Sequence, residues 1–247
     1  MSDKKEGTSK RQARREEIRR KERNQRLVLI GVIAAVGLAI VAFIVVPAIR
    51  SASAPVGEFV KITPGAYNSA EGTTMGDPGA KAKIEIFEDY TCSACKVYSD
   101  NIEPRVIQEL VDTGQAYYVF YQFPFLDDRS ASKDSDRSAN AALCAADQGR
   151  FWDYKKLLFA NLNHTADEFS DKRLLAFADS LGLDKTQFES CYNDSRFQSQ
   201  IDKDMDLGKD KGITGTPTVF INGVDIAPGK VPSFEDIQKA VQAANGS

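Results

Sequence analysis

The sequence predicts an α/β domain with helices packed on a mixed sheet, preceded by one N-terminal transmembrane helix. Three observations predict this architecture. A long apolar stretch follows a basic N-terminus. Short β-prone runs flank a long block of helical patterns, and strands that alternate with helices are typical of α/β domains. One of these strands leads directly into a Cys-x-x-Cys motif that opens a helix.

Charge is distributed unevenly along the 247 residues. Residues 1–26 contain eleven Lys and Arg against five Asp and Glu, a net charge of +6. The whole chain has a net charge of −3, so the remainder carries −9. A basic arm also occurs in nucleic-acid-binding proteins. The acidic remainder and the apolar stretch that follows argue against a nucleic-acid partner.

The apolar stretch, residues 27–49, contains no charged side chain. At about 1.5 Å per residue, a helix of this length crosses a hydrocarbon core of about 30 Å. A buried helix of a soluble protein rarely lacks a polar face for so long. Because the basic residues precede the stretch, the positive-inside rule predicts a cytoplasmic tail at 1–26 and an extracytoplasmic location for the rest. The protein is therefore expected in the cell membrane as a single-pass protein.

We expect the stretch to be an uncleaved signal anchor. The Ala-Ser-Ala sequence at 52–54 has the form of a signal-peptidase site, and cleavage there is the alternative. However, the apolar run exceeds the roughly 7–15 residues of the hydrophobic region of a signal peptide, and Pro55 would follow the cut. Residues 50–78 are predicted to be an extracytoplasmic linker with a short strand at 58–62. The folded domain is then 79–247.

The first half of this domain is predicted to be a βαβ unit. Residues 82–87 alternate and are β-prone. The helical pattern that begins at 92–95 ends near Gly114, and Pro104 is expected to kink it. The aromatic run 116–123 predicts a second strand that pairs in parallel with the first.

The second half is predicted to contain a helical insertion over about 128–211. Its helices are expected near 139–162, 171–181, 185–192 and 196–211. A strand at 218–221 then enters the Asn-Gly turn at 222–223, which favours a hairpin with 224–226. A final helix is predicted over 234–244.

Cys92 and Cys95 are the candidate catalytic residues. Thiol exchange needs a thiolate, and a helix N-terminus favours negative charge. Cys92 lies nearer the helix start and is expected to be the nucleophile, with Lys96 adding positive potential. Cys95 lies one turn further and is expected to be the resolving thiol.

Two alternatives for the motif remain open. A zinc site needs two more ligands, and the chain offers only His164, Cys144 and Cys191, with no second close pair. We therefore predict no metal. A purely structural disulfide is the other alternative, because such bonds are common outside the cytoplasm.

The segments FEDYTCSACK (87–96) and ITGTPTVFING (213–223) resemble the DsbA-like branch of the thioredoxin superfamily. The resemblance covers about residues 76–245, and the sequence is similar to those of bacterial membrane-anchored disulfide oxidoreductases. It implies a thioredoxin-like fold with a helical insertion. It also implies a cis Pro217 that shapes a substrate groove, and a Thr216 backbone that pairs with the substrate.

The resemblance further implies the chemistry and the partners. The protein is expected to be a dithiol oxidase that introduces disulfides into exported proteins, with its own redox-active disulfide and no other cofactor. A membrane quinone reductase of the DsbB or vitamin K epoxide reductase type would reoxidise it, and it would act as a monomer. Relatives with cysteines in the insertion often have a second disulfide, here Cys144–Cys191; two buried thiols are the alternative.

The sequence departs from strongly oxidising members of this branch at two places. The active-site dipeptide is Ser93-Ala94, without the His of those enzymes. Many relatives have an acidic residue under the site, six positions before the first Cys; Ile86 occupies this position, and Glu85 is expected to face the other side of its strand. Glu88 and Asp89 are interpreted as a solvated rim.

These departures shape the remaining expectations. The Cys92 pKa is predicted to lie below that of a free thiol but to be less depressed than in enzymes with a His in the motif. They keep a reductase or isomerase open, and a non-catalytic binding module is the third hypothesis. His164 is predicted to be a surface loop residue. The aromatic cluster at 151–158 is predicted to be core rather than a substrate platform.

Overall fold

The computed structural model describes residues 3–41, 43, 56–67, 69–129, 133–165 and 168–246. Two compact units are present, Met1–Pro55 and Val56–Ser247. In the first, helix α1 (Asp3–Ile40) contains a stretch, Arg19–Ile40, that is long and apolar enough to cross a membrane. Its large apolar side chains are exposed, as a lipid-facing helix requires.

Part of the predicted anchor cannot be compared with the structure. The described portion of residues 27–49 is 27–41 and 43, and it is helical. The remaining positions and the Ala-Ser-Ala sequence at 52–54 lie outside the described residues.

The second unit is built on a mixed sheet. Within the described residues its strands lie in the order β1-β2-β4-β3-β5-β6. They are β1 (Ala70–Glu71), β2 (Thr74–Met75), β3 (Ala82–Glu88), β4 (Ala116–Gln122), β5 (Thr218–Ile221) and β6 (Val224–Asp225). Strands β3 and β4 are parallel, whereas the other neighbours are antiparallel. The predicted βαβ unit is therefore confirmed.

The predicted hairpin between β5 and β6 is also confirmed. Asn222 and Gly223 both have positive φ, 49° and 82°, as a tight two-residue hairpin turn requires. Strand β5 pairs with β3 through Phe87 and Thr218. This register brings the residues that precede β5 to the end of β3 where the Cys-x-x-Cys motif begins.

The helix after the motif is broken rather than kinked. Helix α2 (Ser93–Asn101) ends before α3 (Glu103–Val106), and a π-helical turn follows at Ile107–Val111. Pro104 lies at the start of α3. Proline lacks an N–H group and is tolerated in the first turn of a helix, so the chain starts a new helix there.

The helical insertion is present, with one correction. Its helices are α4 (Asp134–Ala146), α5 (Phe151–Ala160), α6 (Asp171–Ser180), α7 (Lys185–Asn193) and α8 (Gln198–Asp210). The predicted single helix at 139–162 is wrong, because Gly149 adopts φ +69° and separates α4 from α5. Its aromatic residues are buried, as predicted. Helix α9 (Phe234–Gly246) closes the fold, with Ser233 and Asp236 forming a reciprocal cap.

The predicted linker at 50–78 is wrong for most of its length. No residue of the described segment 56–67 is in a strand, so the strand at 58–62 is also wrong. Instead, the Val60 backbone exchanges two hydrogen bonds with the Asn161 side chain, at 2.7 and 2.9 Å. Strands β1 and β2 then add a hairpin to the sheet. The segment is ordered because side chains of the insertion satisfy its backbone groups.

The two faces of β3 have different environments, because side chains alternate along a strand. Ile84 and Ile86 lie in the main core, between the sheet and the helices that carry the motif and the insertion. Phe87 lies on the opposite face with Phe123 and Phe220. Glu88 therefore shares the face of Ile86.

Candidate active site

Cys92 and Cys95 lie on the first turn of α2. Cys92 is the N-cap residue, with extended backbone angles (φ −89°, ψ 118°), and its carbonyl accepts a hydrogen bond from the Lys96 N–H. Both thiols are reduced. Cys92 is partly exposed, whereas Cys95 is fully buried. This placement agrees with an accessible first thiol and a shielded second thiol.

Thr216 and Pro217 lie directly against this turn. The peptide bond between them is cis, as the resemblance implied. The Cys92 thiol donates a hydrogen bond of 3.3 Å to the Thr216 carbonyl. The Thr216 hydroxyl has no hydrogen-bond partner among the described residues and is a donor available to a thiolate.

The pKa values of the two thiols are shifted in opposite directions. Hydrogen bonding from Cys95 is the largest influence on Cys92 and lowers its pKa to about 5, although partial burial opposes it. The neighbouring Thr216 and the backbone N–H groups of Cys95 and Ala94 lower it further. Burial raises the pKa of Cys95 well above its usual value. Near neutral pH, Cys92 is therefore the thiolate and Cys95 the thiol.

Lys96 contributes less than predicted. Its ammonium group is 3.2 Å from the Asp100 carboxylate and also donates to the Phe159 carbonyl. Its charge is thus matched on the flank of α2, whereas the hydrogen bond from Cys95 is the largest influence on the Cys92 pKa.

Glu88 is not a solvated rim residue, and that interpretation is wrong. It is 1% exposed, on the strand face that Ile86 occupies two residues earlier. Its Oε2 is 3.1 Å from the Lys155 ammonium, which also lies 2.6 Å from Glu103 Oε2. A buried carboxyl group is therefore present on this strand face, two residues nearer to the motif than position 86.

Burial governs the charges of this group. It raises the pKa of Glu88, which Lys155 opposes. It also disfavours the Lys155 ammonium, but Glu103 and Glu88 outweigh it, so the pKa of Lys155 is raised. Glu88 also acts on Cys95, where its negative charge adds to the effect of burial. A carboxyl group with a raised pKa therefore interacts with the buried thiol.

Asp89 is also buried, at 1% exposure, so the solvated-rim interpretation fails here too. Its carboxylate accepts hydrogen bonds from the backbone and hydroxyl of Thr91, from the Leu126 backbone and from the Ser135 hydroxyl. Burial raises its pKa to about 6, against these hydrogen bonds. Asp89 fixes the loop before Cys92 onto the insertion. Glu85 faces the opposite side with Lys83 and Lys211, as predicted.

His164 lies at the other side of the motif. As predicted, it is an exposed loop residue, but its Nε2 is 2.7 Å from Ser93 Oγ. Ala94, by contrast, faces a cavity of about 430 Å³. The cavity is also lined by Ile213, Thr214, Thr216, Pro217, Lys230 and Val231. No periodicity or spacing in the sequence places His164 beside Ser93.

The other two cysteines form a disulfide. Cys144 and Cys191 are bonded, with Cα atoms 5.8 Å apart, and both are buried in the insertion. The second bond that the resemblance implied is therefore present. No cluster of three or more His, Cys, Asp or Glu side chains suited to a metal ion occurs in the part of the chain that the structure describes.

Comparison with known proteins agrees with this geometry. A family model described as Thioredoxin matches residues 68–243. The probable disulfide bond formation protein D of Bacillus anthracis is 28% identical over 181 residues, 71% of this chain and 78% of that protein. Disulfide bond formation protein D of Bacillus subtilis is 27% identical over 68% of this chain and 74% of that protein. The crystal structure of oxidised BdbD from Bacillus subtilis superposes with a TM-score of 0.63. It covers 75% of this chain and 100% of that one, at 22% identity, and shows the same fold.

Proposed function

The chain belongs to the thioredoxin family, and we propose that it is a protein disulfide oxidoreductase that works through Cys92 and Cys95. The observation that carries the proposal is the position of the Cys92 thiol, which lies at the N-terminus of α2 and is hydrogen-bonded to the Thr216 carbonyl. Relatives named disulfide bond formation proteins support the same activity. We further propose that it acts as a dithiol oxidase.

The oxidised protein would react in two steps. A substrate thiolate attacks Cys92 Sγ, the Cys92–Cys95 bond breaks, and Cys95 leaves and takes up a proton. The second substrate thiol loses its proton and attacks the substrate sulfur of the mixed disulfide, which releases the Cys92 thiolate. The substrate loses two electrons and the enzyme gains them. A thiol with a low pKa is a good leaving group, which favours this release. We propose no cofactor besides this disulfide.

Glu88 would serve the first step. Because burial raises the pKa of Cys95, its thiolate must be protonated as it leaves. Burial also raises the pKa of Glu88, so this carboxyl group can hold the required proton near neutral pH. Lys155 contacts Glu88 and is itself paired with Glu103, and all three side chains are shielded from water. Glu88 is thus the proposed acid and base of the site.

The substrate would bind along the residues before β5. The Thr216 backbone lies at the site and the adjoining cavity has apolar and polar walls, including Ile213, Val231 and Lys230. An extended peptide with a cysteine over Cys92 fits such a surface. We propose exported proteins with free thiols as the substrates.

Location and recycling follow from the anchor. Helix α1 contains a candidate membrane span near the N-terminus. We propose a single-pass membrane protein with a cytoplasmic N-terminus and an extracytoplasmic catalytic domain. A membrane quinone reductase of the DsbB or vitamin K epoxide reductase type would accept its electrons, and the protein would act as a monomer.

The alternative direction is reduction or isomerisation. The dipeptide Ser93-Ala94, without histidine, favours it. The experiment is the reduction potential of the full-length protein in detergent, equilibrated with glutathione and quantified by thiol-trapping mass spectrometry. A value near −120 mV supports the oxidase, and one near −270 mV supports the reductase. A motif that resists mild reductant and does not oxidise a reduced peptide would refute both in favour of a binding module.

A further inference from the structure

The single histidine of the chain contacts the active-site dipeptide from outside the motif. His164 belongs to the loop between α5 and α6, and its Nε2 lies 2.7 Å from Ser93 Oγ. Ser93 is the first residue of α2 and follows Cys92 directly. The imidazole therefore lies beside the N-terminus that stabilises the Cys92 thiolate.

The loop is built to hold His164 in this position. The buried carboxylate of Glu168 accepts hydrogen bonds from the backbone N–H groups of Asn163 and His164. The Asn163 side chain accepts two more from the backbone and hydroxyl of Thr165. His164 adopts φ +59°, which is unfavourable for a residue with a Cβ. The loop pairs this strained backbone with a buried brace, as functional loops often do.

We propose that His164 is a positioning residue whose protonation, relayed through Ser93, stabilises the Cys92 thiolate and makes the protein a stronger oxidant at lower pH. Reduction of the Cys92–Cys95 bond adds two electrons and leaves a thiolate at Cys92 and a thiol at Cys95. A positive imidazolium beside the new thiolate favours the reduced state. Histidine side chains ordinarily change charge between about pH 5 and 8, so the effect belongs to that window. This inference rests on the proposed thiol–disulfide exchange.

The surrounding charges permit this role. Burial raises the pKa of Glu168, and the charge of His164 opposes this effect. Asp134 on α4 acts on Glu168 but is itself paired with Arg137. On α2, Lys96 would repel the imidazolium, but its charge is matched by Asp100.

Two further carboxyl groups lie on the strand that leads into the motif. Glu88 is paired with Lys155. Asp89 is buried and accepts hydrogen bonds from Thr91 and Ser135. Neither carboxyl group has a contact with His164 among the described residues, whereas Ser93 does.

The test is the equilibrium constant with glutathione for full-length protein in detergent, measured from pH 5.5 to 8.5. Exposed charge interactions change equilibrium constants by up to about fivefold. We expect His164→Gln to make the protein about threefold less oxidising at pH 5.5, or about 14 mV at 29.6 mV per tenfold. At pH 8.5 the variant should equal the wild type. High salt should reduce the difference, because the pair is exposed.

A charge-restoring variant separates this role from a structural one. His164→Lys keeps a positive charge at every pH, so it should stay more oxidising than the wild type at pH 8.5. Lys211→Gln, a control on the opposite face of the sheet, should give a ratio to wild type that does not change with pH. A His164→Gln ratio that is equal at all pH values would overturn the inference. If the wild type does not exchange with glutathione at all, the proposed function itself fails.

Discussion

The two cysteine pairs of this protein occupy opposite ends of helices. Cys92 and Cys95 lie on the first turn of α2, where unpaired N–H groups favour a thiolate. Cys144 lies near the C-terminal end of α4 and Cys191 near that of α7, where the partial negative charge disfavours one. The first pair is reduced with one thiol accessible; the second is bonded and buried.

Position, more than residue type, therefore distinguishes the reactive cysteine pair from the structural one. A reactive thiol needs both a lowered pKa and access to a partner. Cys92 has both, whereas Cys144 and Cys191 are buried and bonded to each other. The second bond therefore acts as a crosslink between α4 and α7, and the first pair is available for exchange.

The largest expected effect comes from removing the structural bond. Cys144→Ala/Cys191→Ala should lower the free energy of unfolding by about 4 kcal/mol, the chain-entropy value for a separation of 47 residues. The rate of peptide oxidation per folded molecule should not change. Urea denaturation followed by fluorescence of Trp152 measures the first quantity. A double variant that is fully stable but inactive would reverse the assignment of the two pairs.

Asp89 connects the active-site loop to α4, the helix that carries Cys144. Its carboxylate accepts hydrogen bonds from Thr91 before the motif and from Ser135 on α4. Burial raises its pKa to about 6, so between about pH 4 and 6 the native state holds a proton that the unfolded state has lost. Its contribution to stability therefore falls as pH rises through this window.

The variant Asp89→Asn should lack this fall. The free energy of unfolding of the variant minus that of the wild type should rise by about 3 kcal/mol from pH 4 to pH 7. This rise corresponds to a difference of about two between the native and unfolded pKa values of Asp89. Urea denaturation at four pH values measures the change, and the absolute stability at one pH does not enter. A wild-type-to-variant difference that is constant with pH would contradict the buried, proton-holding Asp89.

Glu88 distinguishes the active-site pair, because its carboxyl group acts on Cys95. Glu88→Gln should slow the oxidation of a reduced peptide about 100-fold, the low end for acid–base catalysis, since the leaving Cys95 loses its proton donor. Glu85→Gln is the matched control on the opposite face of β3, and it should leave the rate unchanged. Stopped-flow fluorescence measures both. Equal rates for the two variants would remove Glu88 from the mechanism.

Much of the fold follows from local sequence patterns. The βαβ unit, the Asn222-Gly223 hairpin and the helical insertion were predicted because periodicity and turn residues are local signals. The two-residue strands β1 and β2 were missed because they are too short to show alternation. The order in residues 56–67 was missed because it depends on Asn161 and Asp153, about a hundred residues away in sequence.

The site shows the same division. Motifs predict Cys92, Cys95 and Pro217, whereas the solvated-rim interpretation of Glu88 is wrong because a carboxyl group beside a loop can still be buried. Its partner Lys155, on α5, offsets part of the cost of burying this carboxyl group. The fact that Glu88 repeats the face of Ile86 was available from strand alternation alone. The contact of His164 with Ser93 had no sequence signal.

The central claim is that Cys92 is the sulfur that exchanges with the substrate and that Cys95 is shielded. It is tested most directly by thiol trapping at pH 6 of two full-length variants, Cys95→Ala and Cys92→Ala, with a disulfide-bonded peptide. The pKa of Cys92, about 5, depends partly on Cys95, but the helix N-terminus remains in the first variant. We predict a mixed disulfide at Cys92 in Cys95→Ala and no reaction of the buried Cys95 in Cys92→Ala. Equal trapping of the two variants, or trapping at Cys95 alone, would contradict the account.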